Sequence, residues 1–222
     1  MEDVFYAALQ KCPLFMDMTR DEIAASLSGF AHRMVSYGKQ EIYALPGEPC
    51  RYADIVVSGT LVCRMMSLSG RQVEVSRLRA GSMVAPAFLF ASNGAMPVSV
   101  MTDDRVTVLR MTKDTFAGML DSDSRLRMNF IRMLSDIDAF LTAKMRFLSL
   151  MTVREKVAWL LKERAREQKS RQITLYRSRQ EIADSFGIQK YSLIRTLSDF
   201  EKEGVISIQG RDINILKWEK LG

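Results

Sequence analysis

The sequence predicts an α+β protein, with an N-terminal antiparallel β-barrel, a long helix, and a small C-terminal unit of helices and a hairpin. Three observations support this. Short runs rich in Val, Ile, Tyr and Leu alternate with turn residues from about residue 30 to 109. An apolar repeat of helical period then begins near residue 121, and a capping motif, a glycine turn and a further helix follow it. The predicted divisions are 1–120, 121–148 and 149–222.

Length and composition favour a globular protein. A chain of 222 residues is long enough for one or two domains with a buried core. Hydrophobic residues make up 47% and charged residues 26%, as in ordinary soluble proteins. No apolar run approaches the ~20 residues that cross a bilayer, and the start lacks the pattern of a signal peptide. We therefore expect a cytoplasmic protein that does not enter membranes.

The positive charge is concentrated in the second part of the chain. Residues 1–150 hold 17 basic and 16 acidic residues, a net +1, whereas residues 151–222 hold 15 and 10, a net +5. An excess on one side of a chain is typical of proteins that contact a polyanion. This asymmetry predicts a nucleic-acid partner for the C-terminal part.

Few residues could carry catalysis or bind a metal. The cysteines are Cys12, Cys50 and Cys63, too few for a four-thiolate iron–sulfur cluster and typical of free thiols in a reducing compartment. The only histidine is His32, whereas catalytic zinc sites use several histidine or carboxylate ligands. The sequence also lacks a phosphate-binding glycine loop and a nucleophile elbow. We predict neither an enzyme, such as a cupin-type oxidase, nor a metal site.

The β-rich part follows two short helices, one over residues 2–11 and one opened by the capping box Thr19–Glu22. Alternation is visible in Gln72–Ser76 and more loosely in Val106–Leu109. The predicted turns are Tyr37–Lys39, Pro46–Glu48, Ser58–Gly59, Ser69–Arg71 and Ala80–Ser82. Turns about ten residues apart are typical of an antiparallel sandwich or barrel.

The long helix carries two apolar stripes. The first has spacings of 4, 3, 4, 3 and 7 and consists of Leu126, Phe130, Met133, Ile137, Phe140 and Phe147. The second consists of Ile131, Leu134, Leu141, Met145 and Leu148. We predict that the first stripe is the seam of a homodimer. The alternative is one wide stripe buried inside a monomer.

The C-terminal unit has the pattern of a winged helix-turn-helix. A helix over residues 152–167 and a short strand Ile173–Tyr176 precede the capping box Ser178–Glu181. Gly187 allows a sharp turn before a second helix, Lys190–Lys202. The strands Val205–Ile208 and Ile213–Leu216 then form the predicted wing.

A helix of this kind reads DNA with the side chains that it exposes. We expect Leu193, Ile194, Leu197 and Phe200 to point inward. The predicted DNA-binding residues are Arg179, Gln180, Gln189, Lys190, Tyr191, Ser192, Arg195 and Arg211. Arg195 suits a bidentate contact with guanine, and Arg179 and Gln180 suit phosphates. The alternatives are an ordinary solvated face, and a ligand-binding or protein-interaction module whose helix-turn-helix does not read DNA.

The segment Arg179–Ile188, followed by Gly204–Ile206, resembles the CRP/FNR family of bacterial transcription regulators. Gly47–Glu48, Ile55–Thr60, Gly70 and Gly81 extend the resemblance into the barrel. It implies a jelly roll like that of cyclic-nucleotide-binding domains and a homodimer on a two-fold-related, double-stranded DNA operator. It also implies that the protein recruits or blocks RNA polymerase.

The chain departs from this family where cyclic-nucleotide-binding members hold the phosphate. Pro86 stands where those members have a carboxylate, Met96 stands where they have a cation, and Pro97 has no N–H. The resemblance therefore implies no cyclic AMP at the usual site. The iron–sulfur cluster of oxygen-sensing members is also not expected, for want of a fourth cysteine.

The second helix of the helix-turn-helix, Lys190–Lys202, which we call the recognition helix, also departs from the family pattern at its start. Gln189–Ser192 stands where the family often has Ser-Arg-Glu-Thr, so Tyr191 replaces the glutamate that reads cytosine. We expect a different operator sequence. Gln189 is also a poorer N-cap than Ser, by ~1 kcal/mol.

An apolar segment stands where cyclic-nucleotide-binding members of the family hold the phosphate; we call this segment the cassette. The predicted pocket residues are Met83, Ala85, Pro86, Phe88, Met96 and Pro97. Three interpretations stay open: a pocket that is packed shut, a pocket for an apolar or haem-like ligand, and a pocket for another small metabolite. The sequence does not identify an effector.

Overall fold

The computed structural model describes residues 2–66 and 72–221, which form two compact units with the boundary between Asp138 and Ala139. The predicted turn Ser69–Arg71 and the family glycine Gly70 lie outside the described residues. The boundary falls inside the long helix, α5 (Ser124–Leu150), which begins three residues later than expected and ends two residues later.

In its described residues, the first unit contains short helices around seven strands. Its other helices are α1 (Glu2–Leu9), α2 (Arg20–Ser28), α3 (Pro86–Leu89) and α4 (Lys113–Ser122). Its strands are β1 (Arg33–Tyr37), β2 (Ile42–Ala44), β3 (Tyr52–Ser58), β4 (Leu61–Met66), β5 (Gln72–Leu78), β6 (Ser99–Thr102) and β7 (Val106–Thr112). The Thr19–Glu22 capping box opens α2 as the sequence predicts. Helices α3 and α4 were not predicted.

The strands form two antiparallel sheets, ordered β1-β7-β3 and β2-β6-β4-β5, and not one closed barrel. One cluster of apolar side chains, including Val56, Leu61, Val100 and Val108, draws on both sheets. A second cluster covers the other side of β3 and β7 with helices. The fold is the predicted jelly roll, with the barrel replaced by two facing sheets.

A buried polar cluster ties the two sheets together. The Asp54 carboxylate is fully buried and accepts hydrogen bonds from Arg110 Nε at 2.9 Å and from the Tyr43 hydroxyl at 2.6 Å. Arg110 Nη2 also donates to the Tyr37 hydroxyl at 2.8 Å. Burial, reinforced by the Asp54 charge, raises the pKa of Tyr43. Because β1, β3 and β7 belong to one sheet and β2 to the other, this cluster fixes their pairing.

The second unit contains α6 (Val153–Glu167), α7 (Arg179–Ser185), α8 (Lys190–Lys202), β8 (Gln172–Thr174), β9 (Ile206–Gln209) and β10 (Asp212–Ile215). Its sheet has three strands in the order β8-β10-β9, so the short strand before α7 joins the predicted two-stranded wing. Apolar side chains from α6, α7, α8 and the sheet share one core. No helix in the described ranges combines the length and hydropathy that a membrane span requires.

Candidate nucleic-acid interface and ligand pocket

Local capping fixes the start of α7. The Ser178 hydroxyl accepts a hydrogen bond from the Glu181 N–H at 3.2 Å, and the Ser178 N–H donates to the Glu181 carboxylate at 2.7 Å. The hydrogen bond from the Ser178 backbone lowers the pKa of Glu181. The predicted capping box is thus present, and Arg179 is the first residue of the helix.

The turn after α7 is held from two sides. Gly187 has φ +63°, a left-handed conformation that a Cβ would strain. The Ile188 N–H donates to the Ala183 carbonyl at 3.0 Å. The buried Lys156 Nζ, from α6, donates to the Phe186 carbonyl at 3.2 Å. The angle between α7 and α8 therefore depends on a lysine that sequence reasoning did not single out.

Helix α8 begins at Lys190 as predicted, and its N-cap Gln189 makes no side-chain capping bond. Leu193, Leu197 and Phe200 are buried, as expected. Ile194 was predicted to point inward, but it is 41% exposed. At 100° per residue Ile194 lies on the flank of the helix, about 100° from Leu193.

The exposed face of α8 is cationic and aromatic. Tyr191 is 81% exposed, and Gln189, Lys190 and Arg195 are also exposed. Ser192 is half-buried. Within residues 2–66 and 72–221, neither Lys190 nor Arg195 forms an ion pair. Both cations are therefore available to an external anion.

The wing lies beside the start of α7. Gly210 (φ +61°) turns the chain between β9 and β10, and Arg211 next to it is exposed. Arg179 is half-buried and donates from Nη2 to the Gly210 carbonyl at 3.2 Å, and burial lowers its pKa. Gln180 Nε2 donates to Asp184 at 2.9 Å. Arg179 therefore connects α7 to the wing, and its remaining N–H groups are the ones left for a phosphate.

A cavity of about 570 Å³ lies in the first unit. All six predicted pocket residues line it: Met83, Ala85, Pro86, Phe88, Met96 and Pro97. We call it the apolar cavity. Its wall also includes Lys11 from the segment after α1, and Met133 and Ile137 from α5. Nothing in the sequence pattern connected Lys11 to this site, since 70 residues separate it from the cassette.

The backbone around the cassette offers little to a phosphate. The Val84 N–H donates to the Asp54 carbonyl and the Met96 N–H to the Glu48 carbonyl, both at 2.8 Å, while Pro86 and Pro97 have no N–H. Ala85 has φ +45°, a strained conformation for a residue with a Cβ. Helix α3 spans only four residues.

The six residues of the predicted dimer seam lie in different environments. Leu126, Phe130 and Met133 are buried in the core of the first unit, and Ile137 packs against that core. These four residues of the predicted seam have little surface left for a partner, because they are buried in or packed against their own unit. The remaining two members differ from each other: Phe140 is 63% exposed, whereas the Phe147 ring packs 4.8 Å from Trp159.

The exposed large apolar residues of α5 belong to no single stripe. They are Met128, Ile131, Phe140, Leu141, Met145 and Leu150. Ile131, Leu141 and Met145 belong to the second predicted stripe; Leu134 of that stripe packs against the core of the first unit, and the side chain of Leu148 lies outside the described residues.

A haem fits the described residues poorly. His32 donates a hydrogen bond from Nδ1 to the Phe30 carbonyl at 2.8 Å and does not line the apolar cavity. The sulfur-bearing residues in the described wall of the cavity are Cys63, Met83, Met96 and Met133, but Lys11 is the one cation there, against two propionates. No group of three or more His, Cys, Asp and Glu residues in the described ranges could hold a metal ion.

Comparisons with known proteins match both units. The cyclic nucleotide-binding domain family matches residues 34–123, and the Crp-like helix-turn-helix domain family matches residues 155–222. No curated protein sequence matches the chain.

Solved structures share the fold at low identity. The catabolite activator protein of Thermus thermophilus is 19% identical, with 94% of this chain and 96% of that chain covered and a TM-score of 0.57. FixK2 from Bradyrhizobium japonicum is 21% identical, with 86% and 96% covered and a TM-score of 0.54. The c-di-GMP-responsive global regulator CLP of Xanthomonas campestris is 18% identical, with 86% and 98% covered and a TM-score of 0.59.

The fold and the two family matches define a transcription regulator with a helix-turn-helix, not an enzyme. The two matches, with the long helix α5 between them, give the domain order that the sequence resemblance implies. The chain belongs to the CRP/FNR family of transcription regulators.

Proposed function

We propose that the protein is a homodimeric transcription regulator that reads double-stranded DNA with α8 and responds to a ligand other than a cyclic nucleotide. The observation that carries the DNA proposal is that Lys190 and Arg195 on α8, next to Tyr191, are exposed and form no ion pair with any described residue. Side chains of this kind on a second helix are suited to base edges in the major groove.

Each predicted residue has a role in this proposal. Arg195 makes a bidentate contact with guanine, Lys190 contacts guanine or phosphate, and Gln189, Tyr191 and Ser192 contact neighbouring bases. Arg211 on the wing contacts phosphate. Arg179 and Gln180 approach the backbone at the start of α7, where Arg179 also positions the wing. Ile194, which the sequence placed inside, is suited to a thymine methyl group.

The homodimer would use the exposed apolar side of α5. Phe140, Leu141 and Met145 are each more than half exposed and stand on adjacent turns. An apolar helix face of this kind is typically covered by a partner, and two copies of the same face can pair about a two-fold axis. Such a dimer would match a two-fold-related operator.

The ligand proposal follows from the cassette. A cyclic nucleotide would place its phosphate among Pro86, Met96 and Pro97, which offer neither a cation nor a cradle of N–H groups, and an unpaired buried charge costs several kcal/mol or more. We expect no micromolar binding of cyclic AMP by calorimetry. Membership of the family implies RNA polymerase as a further partner. DNA as the target implies action in the cytoplasm.

The test is selection of bound DNA from a random pool, followed by binding measurements on the enriched sequence. We expect a two-fold-related consensus. Arg195→Ala should lose ~1–3 kcal/mol of binding free energy and relax preference at one position per half-site. Arg171→Ala removes the same charge from an exposed site on the segment before β8 and should keep the preference.

Two results would contradict the proposal. One is a parent protein that enriches no sequence at any salt concentration, which would favour the protein-interaction alternative. The other is an Arg195→Ala variant with the parent's full selectivity, which would move base reading away from α8.

A further inference from the structure

The apolar cavity has one charged side chain in its described wall. Of the described residues that line it, Lys11 carries a charge, none is acidic, and the other polar groups are Cys63, Ser76 and Ser82. Its size lies within the range of ~300–1,000 Å³ that is typical of small-molecule sites. Such a wall favours hydrocarbon and disfavours any group whose hydrogen bonds would be lost on entry.

Lys11 is held at this wall by a close backbone approach. Gly81 has φ +91°, and a Cβ there would lie 2.7 Å from Lys11 Cβ and 3.1 Å from the Ala8 carbonyl oxygen. The Gly81 N–H donates to the Val56 carbonyl at 2.8 Å, which anchors the loop to β3. Only a glycine permits this contact, so the fold keeps the lysine next to the cavity.

The Lys11 ammonium is also available. It is exposed and forms no ion pair or hydrogen bond with the described residues. An ammonium at the edge of an apolar cavity attracts a single anionic group while the cavity takes an apolar body.

We propose that the cavity binds an amphipathic carboxylate, with its hydrocarbon part among Met83, Met96 and Val100 and its carboxylate at Lys11 Nζ. We also infer that a ligand in the cavity alters DNA binding, and this one claim rests on the proposed function. The wall residues Met133 and Ile137 belong to α5, so an occupant would touch the same helix that carries the proposed dimer face.

Calorimetry with three probes of equal chain length tests the head group: decanoate, decanol and decyltrimethylammonium, each below its micelle-forming concentration. We expect decanoate to bind most tightly and the cation least. Lys11→Met should weaken decanoate about tenfold, as the loss of a hydrogen bond to a charged group implies, and leave decanol unchanged. Lys39→Met, on an exposed loop outside the cavity, is the matched control and should have no effect.

A filled cavity tests the location. Val98→Phe adds a ring inside the wall and should abolish binding of decanoate and decanol, with the melting temperature showing that the variant is folded. Equal affinity for all three probes, or decanoate binding that survives both Lys11→Met and Val98→Phe, would overturn the proposal.

A labelling experiment needs no variant. Cys63 lines the cavity, whereas Cys12 and Cys50 do not. Burial raises the pKa of Cys63, so its thiol reacts slowly and depends on access through the cavity. Decanoate should slow the modification of Cys63 by methyl methanethiosulfonate at mildly alkaline pH at least about threefold. A ligand present above its Kd occupies most of the sites, and an occupied site blocks the thiol. Cys50 serves as the internal reference, and protection of Cys50 alone would contradict the assignment.

The two proposals fail separately. If decanoate neither binds nor protects Cys63, the ligand class is wrong, and operator selection by the parent protein is unaffected. If decanoate binds as expected but the protein enriches no DNA sequence, the cavity assignment stands and the DNA-reading function fails.

Discussion

Helices α5 and α8 are both amphipathic, but they present opposite chemistry to the outside. Part of the exposed side of α5 is apolar, with Met145 66% exposed beside Phe140 and Leu141. The exposed side of α8 carries Lys190, Tyr191 and Arg195. An apolar face is suited to another protein surface and a cationic face to a polyanion. The comparison shows that helical period locates a buried face, while the residues left outside indicate the kind of partner.

The largest expected effect separates the two parts of α5. Phe130 is buried, and its ring lies 5.3 Å from that of Phe116 and 5.9 Å from that of Phe90. Phe130→Asp should therefore unfold the first unit, with a loss of more than about 4 kcal/mol, because it buries a charge and leaves a cavity. Phe140→Asp should leave the stability of the subunit within ~0.5 kcal/mol and convert dimers to monomers.

Thermal unfolding and sedimentation velocity distinguish these outcomes. A Phe130→Asp protein that is folded and monomeric, together with a Phe140→Asp protein that is still dimeric, would restore the seam that the sequence predicted.

The next effect concerns the turn that presents α8. Removal of Lys156 leaves the buried Phe186 carbonyl without this donor. Lys156→Ala should cost ~1–3 kcal/mol in the unfolding of the second unit and weaken DNA binding, because the turn loses its support. Chemical denaturation and DNA titration measure the two effects. Lys220→Ala, at an exposed position of the same unit, should change neither by a comparable amount, and equal losses in both variants would refute the role of Lys156.

The smallest expected effect concerns Gln189, the N-cap residue immediately before α8. Gln189 makes no capping bond, so Gln189→Ser should add about 0.5–1 kcal/mol to the stability of the second unit by supplying an acceptor for a free N–H. Gln189→Ala should bring no such gain. A serine variant no more stable than the alanine variant would show that the first turn of α8 obtains its acceptors elsewhere.

Local signals predicted the second unit closely. The Ser178–Glu181 capping box, Gly187 and the apolar spacing of α8 are each encoded within a few residues, and the structure has each of them. Ile194 is the exception, because a residue on the flank of a helix is buried or exposed according to its neighbours. Lys156 was missed for a similar reason: its partner carbonyl is 30 residues away.

The sheets and the cavity of the first unit depend more on contacts between distant segments than the fold of the second unit does. The sequence predicted a jelly roll and the six apolar cassette residues, but its strands form two sheets, and the cavity also draws on Lys11 and Met133. Helix α3 begins with a strained Ala85 and spans four residues, which is too short to leave a periodic signal.

The sequence by itself determined the class of fold, the positions of the capping boxes at Thr19 and Ser178, and which residue types stand in the phosphate cassette, since these depend on residue identity and short spacing. Tertiary structure decided which apolar residues of α5 are buried inside their own unit. It also decided that Lys190 and Arg195 form no ion pair with the described residues, and that Lys11 borders a cavity lined by residues about seventy positions further along the chain. The physical reason is that burial and pairing are properties of what lies opposite a side chain, and a linear pattern does not contain that information.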